Sequence, residues 1–368
     1  MKILIGMLIH NEEDIIADTL KTVFTQDIFN HTQDKIEMII VANACSDNSA
    51  AIAEFLLREF KRLHLNFTYR VVSKEEPGKI AAWNDLIHLY SDPDYDYIIC
   101  MDGDIIIQQN HNFSTLIDAL ERNSEALISS DLPIKDISLK AHKGLRNFTS
   151  LAFSKITQKG TSQLCGQLYC ARADFLKQIY IPPEVLIDDT YIKFMACTGG
   201  LKHSVDDSKI ISLRHISHIF EAYTGVKDYF NNQVRQTVGF SLWRIFKEII
   251  KNDLINDNAI QAVKKRALEN PEWLKEEMLI YFAQGKKWYI YSGALSVRFK
   301  RLTRLSFKGK LKMIIPVICA WLVDIAVVFV SNQKIKNSHL QSLWSDTKSK
   351  KIAQDLNAMK LRETRFHL

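Results

Sequence analysis

Two hydrophobic rhythms alternate along the first 130 residues. Lys2 to Ile9, Glu37 to Ala42, Phe67 to Val72, Tyr97 to Met101 and Ala126 to Ser130 are short apolar runs, the pattern of buried strands. Between them the spacing lengthens to that of helices. Ile15, Ile16, Leu20, Val23 and Phe24 share a face over 12–24, and Ile52, Phe55, Leu56 and Phe60 share one over the helix that runs to about Leu63. Helices are also expected over Pro77 to Tyr90 and Phe113 to Arg122. This strand–helix order predicts an α/β fold with a largely parallel sheet covered on both faces.

Ligands of such sheets bind beyond the carboxyl ends of the strands. The polar groups that follow each strand are therefore expected to converge. They are His10, Asn11 and Glu12, then Asn43 to Asp47, then Ser73 to Lys79, then Asp102 to Asp104. Beyond residue 131 the rhythm is less regular. A strand is expected over Leu164 to Ala171, another over Ile210 to Leu213, and helices over Ile187 to Ala196 and Phe230 to Glu248. From about 246 the chain reads as helical and increasingly basic. The expected organisation is a catalytic domain at 1–245, with halves 1–130 and 131–245, and a helical region at 246–368.

Composition changes this picture little. Of 368 residues, 47% are hydrophobic and 24% charged, ordinary for a globular chain. The net charge of +6 is a mild excess, and no nucleic-acid partner is expected from it. The last twenty residues are polar and charge-rich. Cys45, Cys100, Cys165, Cys170, Cys197 and Cys319 form no CxxC pair, so reduced thiols in a cytosol-facing protein are expected; Cys100 and Cys319 sit in apolar runs and read as buried. Acidic residues follow the first apolar run at once, which reads as an opening strand and not as a secretion signal.

The candidate chemistry begins at Asp102-Gly103-Asp104. A strand there delivers two carboxylates to the sheet edge, where a hard divalent cation could be held against phosphate oxygens. The alternative is a turn, for which Asp-Gly is common. Lys79, behind Pro77-Gly78 at a helix start, suits an anion or is simply exposed. Asn84 on that helix is expected to face the site. Asn43 suits a base or ribose contact, while Asp47 and Ser49 suit either the ligand or a helix cap. Asp188-Asp189 opens a helix, either complementing its dipole or supplying a general base. His215 and His218 follow a strand, and one could join Asp104 on a metal or serve structurally. Gln233 and Arg235 share a helix, where Arg235 suits a diphosphate or solvent.

The order and spacing of these groups resemble the family-2 glycosyltransferases of the GT-A fold. The resemblance rests on Ile9-His10-Asn11-Glu12-Glu13, Asn43 to Ser49, Glu76-Pro77-Gly78-Lys79 with Asn84, and Asp102-Gly103-Asp104. It extends to Gly166-Gln167-Leu168-Tyr169, similar to the acceptor-side segment, and to Asp188-Asp189-Thr190-Tyr191, similar to the Glu-Asp motif. Gln233-x-Arg235 is similar to part of the Gln-x-x-Arg helix. The resemblance covers about residues 1–245. It implies that His10, Asn11, Glu12, Asn43 and Asp47 hold the nucleoside side, with Lys79, Asn84, Asp102, Gly103 and Arg235 along the donor. It also implies Gly166, Gln167 and Gln233 towards the acceptor, and Asp104, Asp102 and His215 on Mn2+ or Mg2+. Asp189 would be the base of an inverting displacement, beside Asp188. No Trp follows Arg235 until Trp243, which favours transfer of one sugar over polymerisation.

Near the C-terminus, Met313 to Val330 is an apolar run interrupted by Pro316 and Asp324. A basic amphipathic stretch precedes it: Arg298, Lys300, Arg301, Arg304, Lys308, Lys310 and Lys312 interleave with Phe299, Leu302, Leu305, Phe307 and Leu311. Residues 298–330 are expected at a membrane surface, which suits a glycan or lipid-linked acceptor; the alternative is a helix buried against the catalytic domain. Three other readings differ in class. A nucleotidyltransferase would show a glycine-rich basic loop after the first strand, and a dinucleotide oxidoreductase a G-x-G-x-x-G; neither is present. A scaffold without turnover keeps the fold but loses metal and donor binding.

Overall fold

The computed structural model describes residues 1–31, 33–136, 164–222, 226–303 and 305–337. Strand β1 (Lys2–Ile9) is buried almost throughout because past Lys2 its run carries no side chain that needs water. It pairs in parallel with β2 (Lys35–Asn43) and with β4 (Tyr97–Asp102), and β2 pairs in parallel with β3 (Phe67–Lys74). The second half of the sheet is mixed. β7 (Leu168–Arg172) runs antiparallel to β4 and to β6 (Ile128–Lys135), while β8 (Ile210–Phe220) runs parallel to β6 and antiparallel to the two-residue β5 (Ile106–Ile107). The order is β3-β2-β1-β4-β7-β6-β8-β5. The expected parallel sheet is thus its N-terminal half, and β7 reverses direction beside β4.

Alternation along the strands feeds two cores. Ile3, Ile5, Met7, Met38, Ile40 and Ile99 face one way, against α1 (Ile16–Phe24), α2 (Ser49–Lys61) and α4 (Asn112–Glu121). Leu4, Ile39, Val41, Ile98 and Cys100 face the other way, against α3 (Lys79–Asn84), α5 (Ala173–Leu176), α6 (Asp188–Cys197) and α7 (Val226–Ile249). That second core continues through α8 (Ala259–Glu269), α9 (Trp273–Ala283) and Ile335 of α11 (Phe307–Lys336), which follows α10 (Val297–Thr303).

Some local expectations need correction. On α2 the buried face is Ser49, Ala53, Leu57 and Phe60, and Phe55 is 54% exposed. Small Ala53 lets the helix approach the sheet, which turns Phe55 outward. The expected helix over 77–90 divides: α3 gives way to a π-helical turn over Asp85–Tyr90. All six cysteines are free, but Cys319 is exposed where a buried residue was expected. The charge-rich last twenty residues lie outside the described residues.

Candidate active site

The strand tips do meet at one edge, but they use their polar groups in two ways. Past β1 and β2 the groups bind the protein's own loops. His10 Nδ1 lies 2.7 Å from Asn43 O. Asn11 sits at φ 55°, a left-handed conformation that asparagine tolerates, and its Oδ1 accepts from Ser46 N at 2.8 Å. The amide of Glu12 donates to Ser49 Oγ at 2.7 Å. Asp47 accepts from Glu13 N at 3.0 Å and from Ser49 N at 3.0 Å.

Asn43 is almost wholly buried. With its amide oriented to satisfy both ends, Nδ2 donates to Glu76 O (2.8 Å) and Oδ1 accepts from Gly78 N (3.1 Å). Its side chain therefore fixes the loop that presents Lys79, and a free base-reading amide is not what the structure shows. Asn84 needs a similar correction. Its amide donates to Ile181 O at 2.7 Å and accepts from Ile181 N at 3.1 Å, tying α3 to the segment before α6 instead of facing the site.

Charge gathers instead at the ends of β4 and α6. Lys79 Nζ stands 2.9 Å from Asp102 Oδ1 and 3.7 Å from Asp188 Oδ2, with 28% of its side chain exposed. Burial alone would lower this ammonium's pKa; the charges of Asp102 and Asp188 outweigh it and hold the pKa well above its ordinary value. Arg235, half-buried on α7, is close enough for its charge to oppose Lys79. Burial, and then the charge of Asp188, pushes the Asp189 carboxyl up to about 6, against the Thr190 amide at 2.6 Å and the Lys79 charge.

Two glycines let backbone approach this cluster. A Cβ on Gly103 would stand 2.4 Å from Ile9 Cγ2, so that glycine packs the turn onto β1, and Thr19 Oγ1 donates to its carbonyl at 2.8 Å. A Cβ on Gly166 would stand 3.2 Å from Asp189 Cβ and 3.8 Å from Asp188 Oδ2. The expected acceptor-side segment therefore lies directly against the acid pair. Gln167 follows, and its carbonyl accepts from Asp102 N at 2.9 Å. Gln233 is half-buried on α7.

The proposed metal trio is not assembled. Among the described residues no three His, Cys, Asp or Glu side chains group closely enough to hold an ion. His215 is exposed where β8 leaves its register with β6. The donor chemistry of Asp102 and Asp104 still suits a hard cation, because both are carboxylates and Asp102 already faces one, the Lys79 ammonium. Such an ion would draw its remaining oxygens from phosphate and water.

Sequence reasoning missed most of the support beneath, having named only His218 with a structural role as one alternative. Trp83 Nε1 donates to Tyr169 OH at 3.0 Å in the floor of the cleft. His218 is fully buried with Nδ1 2.8 Å from Asp131 Oδ1, and its Nε2 lies 3.5 Å from Gln167 Oε1. Burial alone would lower His218; Asp131 outweighs it and pushes it up to about 10. His218 thus stays protonated and supports the Gln167 segment. A separate cavity of about 470 Å3 lies by Asp253, Arg266 and Trp273 and is lined by none of the expected site residues.

Comparison with a solved structure identifies the fold. The chain aligns with the mannosyltransferase PcManGT from Pyrobaculum calidifontis, solved with GDP-Man and Mn2+. The match covers 90% of this chain and 86% of that one, with a TM-score of 0.52 and 14% identity. The fold is GT-A, a mixed sheet flanked by helices with a helical C-terminal region. Residues 4–172 match the family model "Glycosyl transferase family 2". Poly-beta-1,6-N-acetyl-D-glucosamine synthases from two Staphylococcus aureus strains, MSSA476 and MW2, are each 34% identical over 101 residues. That is 27% of this chain and 21% of theirs, so the match spans about a fifth of the length of these curated relatives.

Proposed function

We propose that the chain is an inverting glycosyltransferase. It would move one sugar from a nucleotide-diphosphate sugar, a UDP-sugar in the first instance, to a hydroxyl of a glycan or lipid-linked acceptor. The setting is synthesis of a cell-envelope polysaccharide or glycolipid at the cytoplasmic face of a membrane, with residues 298–330 towards the lipid.

The observation that carries this reading is the set Lys79, Asp102, Asp188 and Asp189 at the strand ends, against the bare backbone of Gly166. Asp189 is ionised at neutral pH yet basic enough to take the acceptor hydroxyl proton as that oxygen attacks. Lys79 and Arg235 offer positive charge to the diphosphate leaving group. Asp102 and Asp104 would hold Mn2+ or Mg2+, which when bound supplies further neutralisation of that leaving group. Gly166 leaves room beside the base for the acceptor. Asn43 and Asn84 act by holding the loops that carry Lys79 and the segment before α6.

Calorimetric titration of the purified chain with UDP, GDP and dTDP, with and without Mn2+, tests the donor site. Manganese-dependent binding of one nucleotide, lost in Asp104→Ala, is the expected result and names the donor. Absence of binding to all three would sink the assignment and favour a scaffold that keeps the fold without turnover.

A further inference from the structure

From Met313 onward the helix α11 carries two faces of opposite character. Phe307, Leu311, Ile315, Ile318, Leu322, Ile325 and Phe329 recur every three or four residues and are 41–82% exposed. At 1.5 Å per residue this apolar stripe is about 33 Å long. An uncovered patch of that size on a globular protein marks a contact surface. The opposite face is buried: Met313, Val317, Asp324, Val327, Val328 and Ile335 lie against the domain.

That buried face is fastened by polar bonds. Arg298 of α10 grips Asp324 through both Nε and Nη2, at 2.5 and 2.8 Å, and also donates to Tyr229 OH of α7 at 3.1 Å. Asn332 accepts from Tyr289 N at 2.8 Å and donates to Lys287 O at 3.2 Å. Asp324, which reads in the sequence as a misplaced charge in an apolar run, is the helix's anchor to the soluble domain.

We propose that α11 lies flat in the interface of an anionic bilayer, its Phe307–Phe329 stripe immersed and its back face clasped to the domain, without crossing the membrane. This deepens the membrane contact proposed above and does not rest on the transfer chemistry. Crossing would require the helix to leave its clasp and carry Asp324 into hydrocarbon, parted from the Arg298 guanidinium. Lying flat keeps both charges paired and still removes the stripe from water. Charge complementarity selects the occupant. No acidic residue occurs between Val297 and Val323, while Lys300, Arg301, Lys308, Lys310 and Lys312 do. These side chains can reach anionic headgroups from the flanks of an immersed stripe. A second copy of this chain would instead bring two basic surfaces together.

The test is flotation of the full chain with vesicles of phosphatidylcholine alone or with added phosphatidylglycerol. Binding to the anionic vesicles alone, at low salt, is expected, with release by alkaline carbonate. The double substitution Ile315→Glu and Leu322→Glu should weaken partitioning at least about tenfold. Lys308→Gln with Lys310→Gln and Lys312→Gln should weaken it by a similar factor and reduce its salt dependence. All these side chains are exposed, so the melting temperature and nucleotide affinity should stay at the wild-type values. Unaltered flotation of the Glu variant, or retention after carbonate, would overturn the proposal. So would a change in oligomeric mass on the same substitutions with vesicle binding intact, which would assign the stripe to a second copy. Vesicle binding with no nucleotide binding would leave this inference standing and remove the transferase reading.

Discussion

The groups past β1 and β2 and the groups at the ends of β4 and α6 share one edge of one sheet, yet they differ in electrostatic balance. In the first set almost every polar atom has a backbone partner: Asn11 holds Ser46, Asp47 holds Glu13 and Ser49, and Asn43 holds Glu76 and Gly78. In the second set charge faces charge. One ammonium, Lys79, stands between Asp102 and Asp188, and Asp189 behind them carries a carboxyl whose pKa burial has raised. The first arrangement builds shape and the second stores reactivity, since perturbed acids gather where chemistry needs them.

Asp189→Asn should separate the two most sharply. Release of nucleotide diphosphate from the donor should fall by about 10²–10⁴ while the fold persists. Stability should move the other way. The folded Asp189 keeps its proton between roughly pH 4 and 6, where the unfolded chain has lost it, so wild-type stability declines as pH rises through that window. The asparagine variant should lack this decline and be about 1–3 kcal/mol more stable above pH 6, with the gap closing near pH 4 in urea unfolding. If the two proteins show the same pH dependence, the buried carboxyl is not the cause.

Next in size is Lys79→Met, which leaves Asp102 and Asp188 facing each other without a cation. Nucleotide affinity should drop about 10–100-fold by calorimetry, the worth of a charge-assisted contact. An unchanged affinity would confine Lys79 to balancing the acids. Asn84→Ala belongs to the shape-building set and should do the reverse: a loss of about 1–3 kcal/mol in unfolding, with affinity per folded molecule unchanged. The smallest effect is expected at Ala44, which sits at φ 49°. Ala44→Gly relieves the strained conformation and should stabilise by about 0.5–1 kcal/mol, read from the denaturation midpoint.

The parallel half of the fold was legible because its strands are apolar runs and its helices keep a clean period; Ile15, Ile16, Leu20 and Val23 are buried as their spacing predicts. The charged cluster was legible too, since Lys79, Asp102, Asp188 and Asp189 each follow a recognisable element. What could not be read was the partner of a neutral side chain. Nothing near Asn84 in sequence announces that its amide will meet the backbone of Ile181, 97 positions away. Nor could periodicity place β7 antiparallel beside β4, because direction is set by a connection that carries no rhythm. His218 read as either a ligand or a structural histidine because a histidine's role depends on burial, and Asp131 lies 87 positions away.

The two cores also differ in when they can close as the chain leaves the ribosome. Among the described residues the one against α1, α2 and α4 draws on nothing later than Phe220, so it can be sealed early. The other needs Trp243, Phe246, Trp273, Val327 and finally Ile335. Until those residues emerge, the sheet face carrying Leu4, Ile39 and Ile98 stays open to water and to other chains. Synthesis halted or shortened before α11 should therefore yield a half-dressed sheet prone to capture by chaperones or to aggregation, and not an independent catalytic unit.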